Sequence, residues 1–169
     1  WNDALLDVFL AELETKFPQY ASQVSFALLW ALYHPPDTTF EQVSSTLDHA
    51  EAKYLRHPRY LRLNDKPVLF QFLRLADPVL LSMKDAMRAK GYPGLFVVQS
   101  SECSEVPAGS IVGYDAATAY SYSNKLQGPA HTYDELLAAY QQAWQEIPAR
   151  CAGLKTADGA PVCYIVPTT

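Results

Sequence analysis

Five short apolar runs alternate along this chain with stretches of helical periodicity, and that alternation limits the fold more than any other feature. The runs are Val24 to Trp30, Val68 to Phe72, Leu95 to Gln99, Ala116 to Tyr120 and Val162 to Val166. Each is too short for a typical helix and too uniformly apolar for a strand with one wet face. Strands covered on both sides have this pattern.

The intervening segments read as helices. Residues 2–15 repeat Leu6, Phe9, Leu10 and Leu13 at helical spacing. Phe40, Val43, Leu47, Ala50 and Tyr54 form a second apolar face, behind a Thr38 to Glu41 capping-box pattern. His57-Pro58 stops that helix, Tyr60 to Leu63 reads as an extended arm, and Asn64-Asp65 as a turn. Asp77 then reads as an N-cap with Pro78 at the first helical position. The helix it opens turns Leu80, Met83 and Met87 inward and runs to Gly91, a C′ glycine. A second capping box, Thr132 to Glu135, opens a helix with Leu136, Leu137, Tyr140, Trp144 and Ile147 on one side.

Strands alternating with helices imply an α/β fold with parallel pairing through right-handed crossovers. An open doubly wound sheet and part of a closed barrel both satisfy this. No glycine-rich dinucleotide fingerprint or phosphate loop follows any apolar run, which removes the main support for a nucleotide-binding doubly wound sheet. A complete eight-stranded barrel takes about 250 residues. The 169 residues here therefore suggest a partial (β/α)8 TIM barrel, about five parallel strands alternating with helices, in one incomplete domain without an internal boundary.

Composition narrows the function. The formal charge is −5 and the basic residues are dispersed, so no nucleic-acid face is expected. No run approaches the roughly 18 apolar residues of a membrane span. The chain opens directly on a helical pattern with no signal peptide in view, which leaves secretion, the periplasm and the cytoplasm all open. His34, His49, His57 and His131 lack paired ligand spacing, so neither a metal nor another cofactor is expected. Cys103, Cys151 and Cys163 form no zinc-type pattern. Cys151 and Cys163 flank a glycine-containing loop and can pair in an exported protein, although free, partly buried thiols are the favoured reading.

Several motifs recur in a recognisable order. Phe26-Ala27-Leu28-Leu29-Trp30-Ala31 is similar to an F-A-L-x-W-A strand, and His57 to Val68 (HPRYLRLNDKPV) to an H-P-x-Y-L-x-I-D-G-K-P-V segment. Tyr92 to Leu95 resembles a G-[FY]-P-G-L lead, and Gly113 to Tyr120 a G-[FY]-D-A-x-T-x-Y element. Pro167-Thr168-Thr169 resembles the end of a strand that normally runs on into a Gly-Trp-Asp. Together they resemble the glycoside hydrolase family 99-like, or WbsX-like, domain, over nearly the whole chain from residue 20. The resemblance implies the third to seventh strands of a barrel, with the remainder of the barrel in the parent chain. Leu32 stands where that family commonly has Asn, and Asp65 where it has a turn Gly.

Barrel sites open at the C-terminal ends of the strands. The candidates there are Trp30, His34, Gln71, Arg74, Glu102, Tyr120 and Tyr122, a mixture suited to an oligo- or polysaccharide: aromatic faces for sugar rings, polar groups for hydroxyls. The resemblance places the catalytic carboxylates in an Asn-Glu-Trp-x-Glu motif on the last strand, and this sequence has none. No catalytic residue is assigned, and the acid and base are expected outside the chain. The leading expectation is a glycoside hydrolase fragment acting on α-mannoside or polysaccharide linkages. The alternatives are a WbsX-like component of surface-polysaccharide synthesis and a non-catalytic carbohydrate-binding or scaffold module.

Overall fold

The computed structural model describes residues 3–31, 38–72, 75–100, 113–118, 132–156, 159 and 163–164. Helix α1 (Asp3–Lys16) and the short α2 (Pro18–Ala21) precede β1 (Leu28–Trp30). Helix α3 (Phe40–Ala50) runs into a π-helical turn, Glu51–Leu55, before β2 (Arg62–Leu63) and β3 (Lys66–Gln71). Helix α4 (Asp77–Ala89), β4 (Phe96–Gln99), β5 (Ala116–Ala117), α5 (Tyr133–Cys151) and β6 (Cys163–Tyr164) complete the order.

The sheet is α/β in character, as the alternation predicted. Strands β1, β3, β4, β5 and β6 are parallel neighbours in that spatial order, with β2 antiparallel to the start of β3. Neighbours in space are neighbours in sequence, so crossovers of one hand put their helices on one face. Burial agrees. Val43 and Leu47 of α3 and Leu80, Met83 and Met87 of α4 pack with Trp30, Leu69, Val97 and Ala117. On the opposite face Val68, Val98 and Ala116 form a smaller cluster with Ala27, Leu61, Phe70 and Phe96, and no described helix contributes to it.

The register comes from local chemistry. Asn64 and Asp65 both take positive φ, 50° and 61°, and close a two-residue hairpin in which Leu63 pairs with Lys66. Positive φ at both central positions is the geometry of a type I′ turn. Tyr60 then locks β1 onto β3. Its buried hydroxyl donates to the Val68 carbonyl at 2.7 Å and accepts the Leu28 N–H at 3.2 Å. Farther along the sheet, Lys84 of α4 pairs with Asp115 at 2.8 Å, and the same Asp115 Oδ2 accepts the Val97 N–H. A carboxylate thus ties the short β5 to β4 and α4.

Several expectations need correcting in detail. Helix α3 is capped at Thr39, whose N–H bonds Gln42 Oε1 at 2.7 Å, one residue beyond the expected Thr38 to Glu41 box. Helix α4 is capped by Ala76, with Asp77 inside the helix. Phe9, read as inward, is exposed, and Leu13 is the buried residue of α1. Cys151, expected as a free thiol, is buried and disulfide-bonded. The Thr132 to Glu135 box closes as expected, with Glu135 N–H on Thr132 Oγ1 and Thr132 N–H on Glu135 Oε2.

Two predictions follow from the β1–β3 junction. Asp65→Gly removes the strain of a side chain at φ 61° and raises unfolding free energy by about 0.5–1 kcal/mol, read from urea melts. Burial pushes the Tyr60 phenol up to about 12. A phenol whose value is higher in the folded state than in the unfolded one stabilises below pH of about 10 and loses that contribution as pH rises through the folded value. Alkaline titration at 295 nm will show a late group of tyrosines, Tyr54 with Tyr60, ionising together with loss of tertiary circular dichroism, and Tyr60→Phe will lower the late amplitude by one phenol.

Candidate functional site

Parallel ladders put register partners on the same face, so the C-terminal rim of the sheet can be read residue by residue. Trp30, Gln71, Gln99 and Ala117 are successive partners. They continue the row of Leu69 and Val97 beneath α3 and α4, on the helix-bearing face. One residue on, the ladder persists through Phe72 N–H to Trp30 O, Ser100 N–H to Gln71 O and Thr118 N–H to Gln99 O. Phe72, Ser100 and Thr118 therefore stand on the other face, in line with Phe70, Val98 and Ala116. The rim has two sides, one with two carboxamides and an indole, the other with an aromatic ring and two hydroxyls.

Of the expected site residues, the structure describes Trp30 and Gln71 and brings them side by side. His34, Arg74, Glu102, Tyr120 and Tyr122 lie outside the described residues. Sequence reading missed Phe72 and Thr118 as rim residues. The signal was available in the period-two alternation beyond each strand end, but both faces of these strands are apolar and nothing local marks which one is inward.

The carboxamides are unusual. Gln71 is 0% exposed and Gln99 2%. Neither Nε2 nor Oε1 of Gln71, nor Oε1 of Gln99, meets a protein hydrogen-bond partner. An unsatisfied buried polar group costs about 1–3 kcal/mol. Neutral amides cannot serve as the acid or base of a hydrolysis, but they can orient hydroxyls or waters. Beside Trp30 a cleft of about 440 Å³ opens between β1 and α3, lined chiefly by Leu28, Trp30, Leu47, Leu55 and Leu69, with Gln42 and Thr46 as its polar groups. Among the described residues no group of His, Cys, Asp or Glu is arranged to hold a metal ion. No described helix is long and apolar enough to cross a membrane.

Comparison with protein-family profiles, with curated proteins and with solved structures finds no match for this chain.

The carboxamide row generates a direct test. Gln71→Leu keeps the volume and removes two unpartnered polar atoms, so it will raise unfolding free energy by about 1 kcal/mol in urea melts.

Proposed function

We propose that this chain is the carbohydrate-binding portion of a (β/α) barrel of the glycoside hydrolase family 99-like type, with a neutral oligo- or polysaccharide held at the C-terminal rim of the sheet. The observation that carries the reading is the rim itself. Phe72, Ser100 and Thr118 stand in register on the face to which no described helix contributes, where a barrel would have its interior. An aromatic ring beside hydroxyl groups suits a sugar, whose ring faces are apolar and whose edge is hydroxylated. The His57 to Val68 segment and the strand order support the same reading, since a singly wound sheet is the arrangement a barrel requires.

The described residues are assigned binding and orientation, not bond cleavage. Cleavage of a glycosidic bond generally uses two carboxyl groups about 5–10 Å apart. Under this reading they come from outside the described strand ends. Trp30 and Gln71 back the rim from the helix side, and the WbsX-like and non-catalytic alternatives use the same surface.

Saturation-transfer NMR with neutral oligosaccharides, α-mannosides among them, tests the proposal. Binding is expected for the wild type and weakens at least tenfold in the Ser100→Ala/Thr118→Val double variant, whose melting curve stays close to wild type. Absence of transfer to any neutral sugar, or equal transfer to the variant, overturns it. Release of reducing ends in the same mixtures separates a hydrolase from a binding module.

A further inference from the structure

We infer that α1 is an ionic strap, a helix held on the α3 and π-turn surface mainly by charge pairs and able to detach as a unit while the sheet stays folded. Its apolar hold is slight. Of fourteen residues in α1 only Leu13 is buried, and Leu6 packs partly against the main core. Leu5, Val8 and Phe9 face solvent. A helix of this length is marginal on its own in water, so its docking contacts decide whether it persists.

Those contacts form two locks. At the front, Asp3 Oδ2 lies 2.9 Å from both Lys53 Nζ and His49 Nε2. Asp7 Oδ2 lies 2.7 Å from the same Lys53 Nζ, and Asp7 Oδ1 accepts the Tyr54 hydroxyl at 3.3 Å. At the rear, Arg59 Nη2 donates to Glu14 Oε1 at 2.8 Å, while its Nη1 reaches the Ala21 carbonyl at 3.2 Å. His57 stands 3.9 Å from the same Glu14 oxygen. The helix contributes the acids, and α3, the π turn and the arm contribute the bases.

Most of these groups are partly exposed, and exposed pairs are screened by salt while apolar packing is not. The sheet core is apolar and contains none of these pairs. Salt therefore weakens the hold on α1 more than it weakens the sheet, whose one described ion pair, Lys84–Asp115, is largely buried, and the opening unit runs from α1 to Ala21, where the rear lock ends. Such low-stability units are the parts of a protein that open locally below the global transition.

Hydrogen–deuterium exchange of the whole chain, read by mass spectrometry at about 0.05 M and 1 M NaCl, tests the inference, since the screening length falls to roughly 3 Å at the higher salt. Amides of α1 are expected to exchange at least tenfold faster at high salt, while those of β3 and β4 do not accelerate. Lys53→Met breaks the front lock at a partly exposed position; it is expected to give fast α1 exchange already at low salt and to flatten the salt response. Loss of α1 protection only in step with β3 and β4, or no acceleration by salt in the wild type, overturns the strap. The readout is independent of sugar binding.

Discussion

A phenol hydroxyl sits where three segments meet. Tyr60 belongs to the arm after the π turn, yet its oxygen bridges an N–H of β1 and a carbonyl of β3, and its backbone forms a bridge with Phe26. Edge-to-face contacts of Phe26 with both Tyr60 and His57 close the same corner. The bridge matters because β1 is short and, among the described strands, has only β3 as a partner. A parallel pair also lacks a hairpin to hold its ends. By bonding both strands at once the phenol sets their separation and register, and the Trp30–Gln71 pairing at the far end inherits that register. The Asn64-Asp65 turn delivers β3 to the corner in phase.

Much of this was legible in the sequence. The apolar face of α3, the Gly91 terminus of α4, the Asn64-Asp65 turn and the Thr132 to Glu135 cap were readable because each depends on neighbours within four residues. What was illegible depended on choices that local pattern leaves degenerate. Thr38-Thr39 offers two adjacent caps with two different partners, Glu41 and Gln42, and a one-residue shift changes little in the periodicity. Phe9 is spaced to fit an apolar stripe, but α1 meets its neighbours through Asp3, Asp7 and Glu14, so the helix is rotated to serve its carboxylates. The side of the sheet on which Gln71 lies could not be read from a strand that is apolar on both faces. Only the cross-strand register supplied it.

The two sides of the rim carry different physical burdens. The hydroxyl side is conventional: Ser100 and Thr118 are buried, and small hydroxyls are cheaper to bury than carboxamides. The carboxamide side conflicts with stability, because Gln71 and Gln99 bury polar atoms that meet no protein partner. Interiors normally satisfy such groups or replace them with aliphatic ones. Within the described strands the conflict falls in one row at the strand ends, while the rows behind it, Leu69 and Val97 with Val68 and Val98, are apolar on both faces. Folding is thus secured in the body of the sheet, and the polar burden falls at its end.

The Lys84–Asp115 pair has a mechanical consequence. Strand β5 is only two residues long, too short to hold its place by ladder bonds alone, and its position is set by a bolt running from the middle of α4. Thr118 lies three residues past Asp115, just beyond the other end of β5. Helix α4 is therefore joined to this strand end: Lys84 holds Asp115 and, just ahead of the helix, the Leu75 N–H holds the Tyr114 hydroxyl, so a slide of the helix along its axis would load both contacts.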